Sequence, residues 1–211
     1  MSHLISLDLV WKAAFVLLWL ATGVIRWPHA KGNKQAPKKT RMRPGIEGTL
    51  VALNMLSMMV APMLVIFSPW LDDFGMGLPH GARGLATALF AADVIFFYWV
   101  HRTLGRHWSP VLEIKNDHRL VQEGPYHSIR HPMYTQIWIW VLMQGLILDN
   151  WLVGIFGVLS WGLLYFSRVP HEERLMAEEF GQDYVAYCAR TGRLLPKIPF
   201  VRSNERPQRR D

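Results

Sequence analysis

The amino-acid sequence predicts an all-α fold, a polytopic membrane bundle of about five transmembrane helices. Three observations point there. Stretches of about 20 residues carry almost no charge, the length a helix needs to cross a hydrocarbon core of ~30 Å. Ten Trp and ten Met occur in 211 residues, the first favouring membrane interfaces and the second filling irregular apolar gaps. The Lys and Arg gather in the connections between the apolar stretches. Bulk composition decides less, since 51% apolar residues is close to what soluble proteins carry.

The first span reads as Leu7 to Ile25, with Lys12 near its outer end, where it can snorkel. The second runs from Ile46 to Trp70 and contains Pro62, a kink that neighbouring helices must accommodate. The third, Leu85 to Val100, carries Asp93, which either bonds a neighbouring helix or lines a cavity. Met133 to Leu148 and Trp151 to Phe166 are the fourth and fifth. Only Asp149 and Asn150 separate that last pair, so a tight antiparallel hairpin is expected. Beyond it, Met176, Phe180, Tyr184 and Tyr187 recur at helical spacing among acids, which predicts an amphipathic helix over the ends of the spans. Three parts follow: residues 1–103 with three helices and a basic loop, 104–200 with the hairpin and the dense polar segments, and a polar, disordered tail at 201–211.

Charge sets the expected orientation. Arg26, Lys31, Lys34, Lys38, Lys39, Arg41 and Arg43 crowd the first connection, whereas the second holds Asp72, Asp73 and Arg83 and the hairpin tip no cation. The positive-inside rule then places the N-terminus outside and residues 101–132 and everything after 167 in the cytoplasm. The net charge of +7 belongs to this orientation and not to nucleic-acid binding, because no nucleic-acid motif accompanies it. A single cysteine, Cys188, excludes an internal disulfide and a cysteine-rich zinc module. Residues 1–10 lack a basic n-region, so no cleavable signal peptide is expected.

Two segments carry candidate chemistry. In the first, His118 to Tyr134, Gly124-Pro125 marks a turn, and Pro132 suits the first position of a helix, where its missing N–H costs nothing. Arg130 and His131 then stand at a helix N-terminus, either as an anion site or as an anchor among lipid phosphates. The second is Arg168-Val-Pro-His-Glu172-Glu173-Arg174. Arg168 and Glu172, four apart, can pair along the helix with no further role. Because the fifth span returns to the end where the fourth begins, the two segments must be neighbours, and they can frame a small-molecule site.

Gly124-Pro-Tyr-x3-Arg-His-Pro-x-Tyr134, a hairpin, Arg168-x4-Glu173 and Phe180-Gly-x2-Tyr184-x2-Tyr187 form an ordered set that resembles the isoprenylcysteine carboxyl methyltransferase family. The likeness runs from about Leu104 to Pro199. Each piece alone is weakly specific; the ordered set is specific. The resemblance implies a membrane bundle whose C-terminal half encloses S-adenosyl-L-methionine at the cytoplasmic side of a bacterial-type inner or plasma membrane. It implies that His118, Arg119, Leu120, Val121, Tyr126, His131, Pro132, Met133 and Tyr134 hold the cofactor. It also implies that Arg130, Arg168 and Glu173 are the essential polar residues, with Glu173 ordering Arg168 or meeting a cationic part of the cofactor.

Methyl transfer suits such a site. A sulfonium and an anionic acceptor lose charge together, so placing and desolvating the pair supplies much of the rate. A carboxylate or thiolate needs no strong base, only an arginine such as Arg168 to orient it. No glycine-rich dinucleotide fingerprint is present. The expected partners are the bilayer and a lipophilic or prenyl-like acceptor, with a carboxylate, a thiol and a phospholipid amine all open. Three other readings compete with it. His127 and His131 have a di-iron spacing, but Pro132 interrupts the helix and no second histidine box appears. A membrane reductase of sterol-reductase type, using NADPH, shares a similar C-terminal architecture. A non-enzymatic scaffold fits if the charged clusters only anchor lipid.

Overall fold

The structure, a computed structural model, describes residues 2–32, 46–105 and 120–197. His118, Arg119, much of the basic first connection and the expected tail at 201–211 lie outside the described residues. Among the described residues six α-helices carry the fold: α1 (Ser2–Gly32), α2 (Ile46–Met55), α3 (Ala61–Phe67), α4 (His80–Leu104), α5 (Pro132–Ile147) and α6 (Trp151–Arg190). Among the described residues there are only isolated β-bridges and no strands. Leu7–Pro28, Ile46–Phe67, His80–Leu104 and Trp151–Arg190 are long and apolar enough to cross a membrane. This is a polytopic, all-helical membrane protein.

α5 is the axis. Its 16 residues rise only about 24 Å, short of a full crossing. It is flanked by α4 and α6, with α1 against α4 and α2 against α6. A helix apolar on all sides belongs inside a bundle, and α5 buries Trp140, Val141 and Ile147 together with Thr135, Gln136 and Gln144. The aromatic core steps across it: Phe15 stacks on Phe90 at 5.9 Å between ring centres, and Phe90 tilts against Trp140 at 5.5 Å. Val24, Phe67, Ile95 and Phe166 point outward and exposed, the arrangement that hydrocarbon solvates.

The α5–α6 hairpin forms as expected. Asp149 adopts φ 52°, and Asn150 caps α6 by accepting from Val153 N at 3.0 Å. A Cβ built on Gly145 would lie 2.5 Å from Gly154 Cα, so only glycine permits this approach of the two backbones. The preceding connection is tied over the tip: Asn150 Nδ2 donates to Leu71 O at 2.7 Å, and Leu78 N donates to Asp149 Oδ1 at 3.0 Å. At the same end, buried Arg83 donates to Ile147 O at 2.9 Å and reaches Asp8 at 2.8 Å. Lys12 also pairs with Asp8, at 3.1 Å.

Pro62 does not simply kink the second span. A π-helical turn, Leu56–Val60, precedes it, and Ala61 N donates to Leu56 O. In that register Ser57 O would next require an N–H from Pro62, which has none. Gln144 Nε2 of α5 supplies the donor at 3.3 Å. The Ser57 hydroxyl meets Ser160 of α6 at 2.6 Å. Asp93, 2% exposed, accepts from Gln136 Nε2 at 3.0 Å, which makes it a helix-to-helix contact.

The segment after the hairpin breaks later than the expected end of the fifth span. Its first stretch is unbroken from Trp151 to Phe180, about 45 Å against a hydrocarbon core of about 30 Å, so it continues beyond the membrane. Pro170 lies inside that stretch, and the helical path breaks at Gly181, φ 52°, before the helix resumes to Arg190.

Candidate functional site

The first expected cluster is built on a tight corner. Gly124 (φ 53°) opens the 3-10 turn Gly124–His127, and a Cβ there would meet Thr103 Oγ1 of α4 at 2.5 Å. The turn is thus pressed against the end of α4, and Pro132 starts α5 seven residues beyond Pro125.

A strap after α6, residues 191–197, closes this corner. Arg130 N donates to Gly192 O at 2.8 Å, His131 N to Arg193 O at 3.0 Å, and Gly192 N to Ser128 O at 3.0 Å. Thr135 Oγ1 adds a bond to Leu194 O at 2.7 Å. Tyr187 donates its hydroxyl to Tyr126 O at 2.6 Å. The amides of Arg130 and His131 are therefore occupied by the strap.

Glu173 is the hub of the charges. It accepts from Arg130 Nε at 3.3 Å, from Arg193 Nε at 3.0 Å and Nη2 at 2.5 Å, and it lies 3.2 Å from His131 Nε2. Burial pushes this carboxyl up, but the hydrogen bonds and charges of His131 and Arg193 outweigh burial and hold it at about 2. Arg130 Nη1 also donates to Thr191 O at 2.5 Å. Arg130 and Glu173 thus bind the corner to the strap.

Arg168 stands in another group. Arg168 Nε approaches Glu47 Oε1 of α2 at 3.9 Å, while Glu173 meets Arg130 and Arg193. Five residues separate Arg168 from Glu173, about 140° around a helix, whereas Glu172 is only about 40° away. Glu172 accepts from the Tyr134 hydroxyl at 2.6 Å. The Tyr134 ring stacks on His131, 5.3 Å between centres and 9° from parallel. Burial first, then the Glu172 carboxylate, pushes the Tyr126 hydroxyl well above its ordinary value.

Both groups border one cavity of about 1090 Å³. Its polar end is walled by Leu120, Val121, Tyr126, Arg130, His131, Met133, Tyr134 and Arg168, with Glu172, Tyr184 and Tyr187. α1 and the second span give it a largely apolar wall through Trp19, Val51, Met55, Met58 and Met59, joined by Thr22, Arg26 and Asn54. Pro132 and Glu173 are not part of its wall. The sequence points to Glu172 only as a pairing partner on the helix, and to Arg193 not at all. The helical phase of Glu172 relative to Arg168 was the available signal for the first; a lone cation after a helix gives none for the second.

The model of the isoprenylcysteine carboxyl methyltransferase (ICMT) family matches residues 85–178. Protein-S-isoprenylcysteine O-methyltransferase B of Arabidopsis thaliana is 35% identical over 103 residues, 47% of this chain and 50% of that protein. The protein-S-isoprenylcysteine O-methyltransferase of Schizosaccharomyces pombe is 31% identical over 98 residues, 45% of this chain and 41% of the relative. A nickel-cobalt-cadmium resistance protein, NccN of Alcaligenes xylosoxydans xylosoxydans, is 26% identical over 102 residues, 48% and 47% of the two chains. The chain spans about half the length, or less, of these curated relatives. Among solved structures, the eukaryotic intramembrane Ras methyltransferase ICMT superimposes with a TM-score of 0.58 at 20% identity, covering 89% of this chain and 67% of that one. The fold is shared with that enzyme, and the sequence likeness is concentrated in α4, α5 and α6.

Proposed function

We propose that the protein is an integral-membrane methyltransferase that uses S-adenosyl-L-methionine and acts on the carboxylate or thiol of a lipophilic, isoprenylcysteine-like acceptor. One observation carries the reading: a single cavity joins a polar corner, within the segment similar to the methyltransferase family, to an apolar trough reaching α1 and α2. The similarity to NccN supports leaving the acceptor at the level of a chemical class.

The residues present fit the cofactor. Glu172 and the rings of Tyr126 and Tyr134 offer a carboxylate and aromatic faces to a sulfonium cation. A cavity of about 1090 Å³ exceeds what one small ligand usually occupies, ~300–1,000 Å³, so it has room for cofactor and acceptor together. When bound, the cofactor supplies an electrophilic methyl group on sulfur. The chain's own residues do the rest. Leu120, Val121, Tyr126, Met133 and Tyr134 line the cofactor end; His118 and Arg119 are assigned there on the resemblance alone. Arg168 orients the acceptor anion, and the apolar wall excludes water, which strengthens each electrostatic contact. Arg130, His131 and Glu173 with Pro132 fix the corner that carries Tyr134, and residues 104–200 form the functional unit. The first connection and the C-terminus face the cytoplasm in this reading.

Calorimetry on the detergent-solubilised full chain tests it. S-adenosylmethionine or its demethylated product should bind, and Tyr126→Ala should abolish binding without lowering the yield of folded protein. Binding of NADPH with no response to either methyl-donor form would overturn the reading.

A further inference from the structure

Beyond its charged corner the cavity wall is not uniformly apolar. From α5 it is lined by Met133, Gln136, Ile137 and Trp140, a spacing of three, four and seven that puts them on one helical face. Gln136 stands on that face one turn inward from Met133 and is 1% exposed. A neutral amide is costly to bury where only an apolar tail would run.

Asp93 sets how this amide is turned. It lies on α4 one turn before Phe97 and two before His101; both of these line the cavity, and Asp93 does not. From behind the wall its Oδ2 accepts from Gln136 Nε2 at 3.0 Å. That bond commits the nitrogen of the amide to α4 and leaves the carbonyl oxygen, Oε1, for the cavity side. Among the described residues no protein group donates to Oε1. A hydrocarbon chain laid against this face would leave it buried and unpaired, which folded proteins and tight complexes avoid. A ligand N–H or O–H at that level satisfies it. The second span carries a similar group. Asn54, 4% exposed and on the same lining, rests Nδ2 on the Met58 sulfur at 3.3 Å and has no partner for Oδ1. Sulfur is a weak acceptor, so this amide too is better served by a polar group than by a methylene.

Resting on the methyltransferase reading, we propose that Gln136, oriented by Asp93, selects acceptors that carry a neutral hydrogen-bond donor, an N–H or O–H, close to their reacting end. The donor belongs to the acceptor and not to the cofactor, because Gln136 lies inward of Met133, on the side of Ile137 and Trp140 and away from the corner that carries Tyr126. Gln136 reads the ligand. Asp93 is a positioning residue, holding the amide so that its oxygen and not its nitrogen is presented.

The test uses the full chain in nanodiscs with two matched acceptors, N-acetyl-S-farnesylcysteine and its N-methyl derivative, in which a methyl replaces the amide hydrogen. The wild type should favour the N–H compound about ten-fold or more in kcat/KM. Gln136→Met, close in shape to the native side chain, should cut that ratio to about two or less, chiefly by raising KM for the N–H compound. Asp93→Leu keeps Gln136 but lets its amide turn, so the ratio should fall part way, to about three. The double variant, Asp93→Leu with Gln136→Met, removes both polar partners and guards against a folding defect; its ratio should equal that of Gln136→Met alone. A wild type that does not discriminate would overturn the inference. An unchanged ratio in Gln136→Met would assign the preference to the bulk of the added methyl, and with a lowered melting temperature would leave the pair purely structural. A loss of cofactor affinity at unchanged ratio would put the donor on the cofactor. Each of these overturns the inference and leaves the methyltransferase reading standing. Turnover of neither compound by cofactor-loaded wild type would overturn the inference together with the isoprenylcysteine-like acceptor, and failure of the wild type to bind S-adenosylmethionine would overturn the methyltransferase reading itself.

Discussion

Replacing Glu173 by Gln removes one charge from the junction of α5, α6 and the strap and leaves the shape nearly unchanged. The carboxyl is held at about 2 against an ordinary 4.5, a displacement equivalent to about 3 kcal/mol as a ceiling. Arg193, one of its partners, is half exposed, so solvent screening reduces the realised value to about 1–2 kcal/mol. The sign follows from linkage. A carboxyl depressed in the folded protein stabilises fully above its unfolded value, here above about pH 4.5, and the contribution fades as pH falls towards about 2. In detergent at pH 7, Glu173→Gln should melt several degrees below the wild type. Below pH 4.5 the wild-type melting temperature should fall faster than that of the variant, and the two should converge. Scanning melts by intrinsic Trp fluorescence between pH 3 and 8 read this directly. Parallel curves with a constant gap would refute the charge network as the cause.

Arg168→Ala should leave cofactor affinity within a few-fold and cut turnover sharply, and Arg168→Lys should recover little, as steady-state kinetics beside calorimetry will read. Because Arg168 and Glu173 stand in different groups, their effects on stability should add in the double variant to within about 0.5 kcal/mol. Gly145→Ala places a methyl 2.5 Å from Gly154 Cα and should cost about 1–3 kcal/mol, seen as a lower melting temperature. Arg193→Ala should weaken cofactor binding with little change in acceptor KM, and Arg193→Lys should restore much of it, since a single charge on Glu173 suffices.

Much of the fold was legible because a bilayer imposes a coarse rule that hydropathy records. The start of the fifth span at Trp151 and the hairpin tip at Asp149-Asn150 are as read. Pro132 as a helix start was legible because proline has few other places to go. The two clusters were expected to meet, and both border one cavity. What escaped depends on three-dimensional phase and on contacts distant in the chain. The partners of Glu173, Arg130 and Arg193, lie off the face of Arg168, because a five-residue step leaves that helical face. The π turn before Pro62 depends on Gln144, more than eighty residues away, and no local pattern announces such a donor.

The strap sets an order of assembly. The amides of Arg130 and His131 find their acceptors in Gly192 and Arg193, about 60 residues later in the chain. At ~5–20 residues per second, the ribosome needs several seconds to bridge that interval. Throughout it the hairpin can insert and pack while the corner still lacks its lining. A nascent chain therefore acquires its helices first and its closed pocket last, so a product cut short before Gly192 would be threaded into the bilayer with the corner of that pocket unlined.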